Sequence, residues 1–168
     1  MRDLDTFWSQ MIDKAIENAA SDGREHVADY LRLRAKNDAI RHAGVNWLLE
    51  MFIANGMTPE LISRGLTVER TESHQFRHGN SSLVGSQLRF QLGVRCLSVE
   101  VGWTRTPSDG IMRGGALALA HVSHFGMIRE NEHFALILEE PRPRWRHSQT
   151  GASLDKITLD RHLVTLVG

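Results

Sequence analysis

The chain has 168 residues, 41% apolar and 24% charged, which suits one folded domain with a buried core and excludes a disordered or fibrous polymer. Twenty Lys and Arg offset twenty Asp and Glu, so the formal net charge is zero, and any contact with nucleic acid or an anionic membrane must come from a local patch. A single cysteine, Cys96, rules out an internal disulfide, the acidic opening MRDLDTFW lacks the order of a secretory signal, and no apolar run nears the ~18 residues of a membrane span, so the expectation is a cytoplasmic protein with no membrane partner.

Residues 4–20 carry Leu4, Phe7, Trp8, Met11, Ile12, Ala15, Ile16 and Ala19 at three- and four-residue steps, the stripe of an amphipathic helix. Asp3 or Asp5 can cap its start, and Ser21-Asp22-Gly23 supplies a stop. A second helix is predicted from about Arg24 to Lys36, and a third from about Asp38 to Ala54. The third has Ile40, Gly44, Trp47, Leu48, Met51 and Phe52 facing inward. Asn37-Asp38 reads as a break and fresh cap, with one long kinked helix as the alternative. Thr58-Pro59-Glu60 then opens a short helix that Gly65 ends.

From Leu66 the period changes to alternation. LTVERTESHQFRH is a strand and HGNSS a hairpin turn. In residues 83–103, Leu88, Phe90 and Leu92 share one parity and Leu97, Val99, Val101 and Trp103 the other, so a bulge or bend is expected at Gly93. TRTPSDG (104–110) is a turn. The run 113–126 reads as a strand, although its alanines and leucines also suit a helix. HFALILEE (133–140) and ITLDRHLVTLV (157–167) complete the strands. The order gives an α+β fold: one domain over 1–168, a helical part over 1–65 and a mostly β part over 66–168. The N-terminal helices pack on one face of a mainly antiparallel sheet of about five or six strands.

Candidate chemistry is sparse. No zinc spacing, phosphate-loop signature or nucleophile motif is present, so no metal ligand, cofactor or catalytic residue is assigned. In a plain strand, His74 and His78 stand ~13 Å apart, too far to share one ion, whereas His121 and His124 share a face only if their run is helical. Parity alone lets His74, His78 or Glu100 face one another, and such a pocket would favour a hydrolase or transferase. The glycine-rich loop SDGIMRGG, with Arg105, Asp109 and Arg113, is the most polar connection among the strands. PRPRWRH places Arg142, Arg144 and Arg146 on one side of an extended path and Trp145 on the other. This segment suits edge protection or a protein contact better than stacking with nucleic acid. The leading expectation is therefore a non-enzymatic binding or assembly protein with a protein partner or self-association, and a nucleic-acid-binding accessory protein is the next.

Overall fold

In a computed structural model covering residues 2–168, with side chains described from residue 6, helices precede a six-stranded antiparallel sheet, an α+β fold. The chain divides into two compact units, residues 1–42 and 43–168.

The first unit holds α1 (Arg2–Ser21) and the opening turns of α2 (Glu25–Gly56). Helix α1 already runs through Asp3 and Asp5, and the side chains of these residues and of Leu4 lie outside the described ones. Of the stripe expected on α1, Ile12 and Ala19 are buried, while Phe7, Trp8 and Met11 are exposed. The expected break at Asn37-Asp38 is absent, and α2 is continuous over 32 residues. Asp38 spends its carboxylate on Arg41 one turn later, at 2.7 Å, instead of on a free N-terminus.

The second unit is built on a meander, β1 (Thr67–His78), β2 (Ser81–Leu92), β3 (Arg95–Trp103), β4 (Ala116–His124), β5 (Glu132–Ile137) and β6 (Arg144–His147), paired in sequence order. The parity change expected at Gly93 is a complete reversal. Leu92 pairs with Arg95 across a two-residue hairpin, and Gly93 takes φ 59, as a tight turn with glycine first requires. Leu88 then faces Val99, and Phe90 faces Leu97, on one surface of the sheet.

That surface is the core. The last turns of α2 supply Val45, Leu48, Leu49 and Phe52, all buried, whereas Trp47, expected inside, is 46% exposed. The inward stripe is centred on 45/48/49/52, one step round from the predicted one. Glycine lets the helix sit close: a Cβ at Gly44 would stand 2.5 Å from Leu136 Cδ2. The short helix α3 (Pro59–Ser63) follows, capped by Thr58. Residues 157–167 are not a strand. They belong to α4 (Lys156–Val167), whose buried Leu159, His162, Leu163 and Leu166 recur at helical spacing, and Asp155 caps the helix by accepting from the Thr158 N–H. The β-branched residues that suggested a strand, Ile157 and Val164 among them, are its exposed face. Among the described residues, no helix is long and apolar enough to cross a membrane.

Candidate functional site: a histidine cluster on the open sheet face

The sheet's other face carries the chemistry, and one residue puts it there. Glu72 pairs with Ser86, but the next pairing is His74 with Gly85, leaving Ser73 bulged out at φ 56. Before the bulge, the even-numbered residues of β1 share the core surface with Leu88 and Phe90. After it, His74, Phe76 and His78 lie on the opposite surface with Leu83 and Gly85.

In a flat sheet, β1 and β4 stand three strand spacings apart, ~14 Å. Here His78 Nδ1 lies 2.9 Å from His121 Nε2, so the sheet must bend between them. Gly85 of β2 pairs with Gly102 of β3, and a Cβ on Gly85 would fall 1.9 Å from the Val101 carbonyl oxygen. Two strands without side chains at this point approach closely enough for a sharp bend.

His121 pairs directly with His133 of β5, their rings stacked at 4.2 Å, and Phe76 meets His121 edge-on at 5.1 Å. One ring nitrogen from each of His78, His121 and His133 lies within 4.8 Å of the others. Spacing along the chain yields no metal-ligand set, because these three histidines come from three different strands. Burial, then the neighbouring His133 and His78, pushes His121 down to about 4. Burial, His78 and His147 likewise lower His133. At neutral pH the His121 and His133 rings are therefore uncharged, the state a metal requires of its imidazole ligands. Glu100 is the register partner of His121 on β3, and its Oε1 lies 2.6 Å from His74 Nε2. The facing of His74 and Glu100 anticipated from parity is thus present, though through the bulge.

A cleft of about 1010 Å³ opens beside the cluster. It shares His78, continues along the open face over Leu119 and Ala135, and is walled by Asn80, Arg113 and Ser148. Leu119 and Ala135 are the register pair adjacent to His121 and His133 along the same strands.

The other predicted residues are scattered. Trp145 is only 3% exposed and donates its Nε1–H to the Gly44 carbonyl at 3.1 Å, so it offers no stacking surface. Arg146 forms a two-pronged pair with Glu139 at 2.8 and 2.7 Å, while Arg142 and Arg144 are exposed. Arg105 lies over the Trp103 ring at 3.9 Å and bonds the Val84 carbonyl. Asp109 accepts from the backbone of Arg105 and Thr106, which hold its carboxyl below the usual range, so it fastens the 104–110 turn. Of the three loop candidates, Arg113 alone lines the cleft.

A second histidine group lies in the core. His124 Nε2 and His162 Nδ1 are 2.9 Å apart, and His162 Nε2 reaches Glu132 at 2.9 Å. Arg161 holds the same carboxylate at 2.7 Å, and His147 Nε2 stands 3.9 Å from it. His124 Nδ1 is buried without a partner, which suits a neutral ring whose lone pair points there. Burial lowers both imidazoles, against the pull of Glu132 and Glu130. The folded protein therefore binds fewer protons here than the unfolded chain, whose imidazoles titrate near 6.5. This stability is complete above that pH and drains away as the pH falls through it toward the folded values. Urea midpoints are expected to drop between pH 7.5 and 5.5, with a shallower drop in His162→Gln. An unchanged or rising midpoint on acidification would contradict the assignment.

Neither a family model, nor a curated protein, nor a solved structure matches this chain.

Proposed function

We propose that the protein is a metal-dependent hydrolase, with His78, His121 and His133 holding a divalent ion of the zinc class and Glu100 serving as general base. The observation that carries this reading is the meeting of three imidazole nitrogens within 4.8 Å on the solvent-facing side of the sheet, next to a cleft. Zinc–imidazole bonds of ~2.0–2.1 Å in a tetrahedral set need nitrogens ~3.4 Å apart, within reach of small side-chain rotations. Three histidines with no carboxylate among them form a ligand set that leaves a coordination position open. An ion held there supplies a water made acidic enough to act near neutral pH. Glu100, on the strand beside His121 and fixed by His74, is the carboxylate placed to take that proton.

The test is titration with Zn²⁺, then with Co²⁺ read by visible absorption, followed by turnover of nitrophenyl esters. One ion per chain, tetrahedral cobalt bands, and a fall of ~100-fold or more in kcat for Glu100→Gln at unchanged metal affinity are expected. No stoichiometric binding of either ion would end this reading.

Assembly through protein contacts is a second reading, supported by the exposed Phe7, Trp8 and Met11 of α1. It predicts a dimer or larger species in sedimentation velocity that the Phe7→Ser/Trp8→Ser/Met11→Ser variant converts to monomer. A monomeric parent protein would dismiss it.

A further inference from the structure

We infer that the cleft beside the histidine cluster binds a phosphoester, with Arg113 and the glycine-rich loop holding the phosphoryl group. This inference rests on the metal-site reading for its chemistry, though not for its binding step. Charge is the first argument. Glu139 is the only carboxylate lining the cleft among the described residues, and Arg146 already neutralises it in a two-pronged pair. Arg113 is exposed on the wall, and its side chain has no hydrogen-bonding or ionic partner among the described residues. The cleft therefore presents one uncompensated cation, and a guanidinium binds phosphate oxygens through two parallel N–H donors.

The loop gives the second argument. Residues 111–114 make no backbone hydrogen bonds through their N–H groups, and all four line the cleft. Gly114 and Gly115 take φ 65 and 72, so side-chain-bearing residues fit poorly there and the backbone is left accessible. Asn80, Ser81 and Ser148 also line the cleft and add polar side chains. At about 1010 Å³ the cleft is many times the size of inorganic phosphate, leaving room for the organic half of an ester.

His78 belongs both to the cluster and to the lining of the cleft, so a phosphoester held by Arg113 shares a wall with water activated at the cluster. The oxygen of that water forms the new P–O bond as the bond to the ester oxygen breaks. Glu100 takes the proton of the water and then releases it to solvent, and the departing alkoxide takes a proton from solvent water to leave as the alcohol. The products are phosphate and alcohol, and water is the only co-reactant.

The experiment has two arms. The first measures inorganic phosphate binding by calorimetry, to the metal-free and to the Zn²⁺-loaded protein, for the parent chain and Arg113→Ala. Binding in the parent that weakens at least tenfold in the variant is expected, with Zn²⁺ affinity the same in both. The second compares p-nitrophenyl phosphate with p-nitrophenyl acetate on the Zn²⁺-loaded protein. The phosphate ester is expected to be preferred, with KM raised tenfold or more and kcat nearly unchanged in Arg113→Ala. Absence of phosphate binding in both metal states, or binding indifferent to Arg113, overturns the inference. So does Zn²⁺ binding accompanied by turnover of the acetate alone. Failure of Zn²⁺ to bind while phosphate still binds through Arg113 sinks the hydrolase reading and leaves the anion site standing.

Discussion

Replacing His121 by alanine is expected to abolish stoichiometric Zn²⁺ binding, weakening affinity by about 100-fold or more. His121 is the hub of the cluster: its Nε2 is 2.9 Å from His78 Nδ1 and its ring is stacked at 4.2 Å on His133, while the His78 and His133 rings meet edge-on at 5.6 Å. Its removal leaves two imidazoles, one protein ligand short of the three that a zinc site with an open position uses. His121 is also half-buried against Phe76, so its loss could disturb the sheet by itself. His133→Ala provides the independent check, since that side chain is exposed and its truncation costs little packing. Both variants should lose the metal while far-ultraviolet circular dichroism stays that of the parent. His74→Ala, which removes the partner of Glu100 but no ligand, should bind Zn²⁺ within a few-fold of the parent. If His133→Ala binds as tightly as the parent, the three-histidine site is wrong.

Gly85→Ala is expected to be the most damaging single methyl in the sheet. Its Cβ would meet the Val101 carbonyl oxygen at 1.9 Å and the Gly102 Cα at 2.6 Å, and both are backbone atoms that no rotamer change can move aside. The β2 and β3 strands must separate, at a cost of about 3 kcal/mol or more, or roughly 6–12 °C in Tm for a chain of this length. The same separation relaxes the bend that carries His78 to His121, so whatever folded protein remains should bind Zn²⁺ poorly. A Tm within 2 °C of the parent would show that the strands part more easily here than their contact implies.

Much of the fold can be read from residue patterns. The hairpin at HGNSS, the strands around Phe76, Val99, Leu119 and Phe134, and the cap at Thr58 each combine local propensity with periodicity, and the two agree. Misreadings occurred where the two diverge. In 157–167 the β-branched residues signal a strand, but the buried 159/162/163/166 set decides, because the segment closes the core surface. At Asn37-Asp38 a capping pair lies inside a helix, since Arg41 satisfies the aspartate locally.

The site was less legible for a different reason. His78, His121 and His133 belong to β1, β4 and β5, and no spacing along the chain expresses their proximity. The bulge that turns His74 and His78 to the open face is centred on a serine, not on the glycine that usually marks such a position. One clue was available: Leu83 and Leu88 are both buried on β2 yet differ in parity, so each surface of that strand packs against something. Trp145 was assigned to the correct side of its strand but its destination, the Gly44 carbonyl, depends on a helix one hundred residues earlier in the chain.

The extra residue at Ser73 works as a phase shifter. Upstream of it, β1 is in step with the core; downstream, the same alternation is carried half a period out, and histidines that would have faced the helices face the cleft. Pairing Ser73 into the ladder, with the upstream register kept, would leave every side chain's identity unchanged and yet exchange His74, Phe76 and His78 for Ser73, Gln75 and Arg77 across the open face. The site is therefore encoded as much by where the ladder skips a residue as by the residues on the strand. A strand that keeps every histidine can therefore lose the site through a one-residue slip in its pairing.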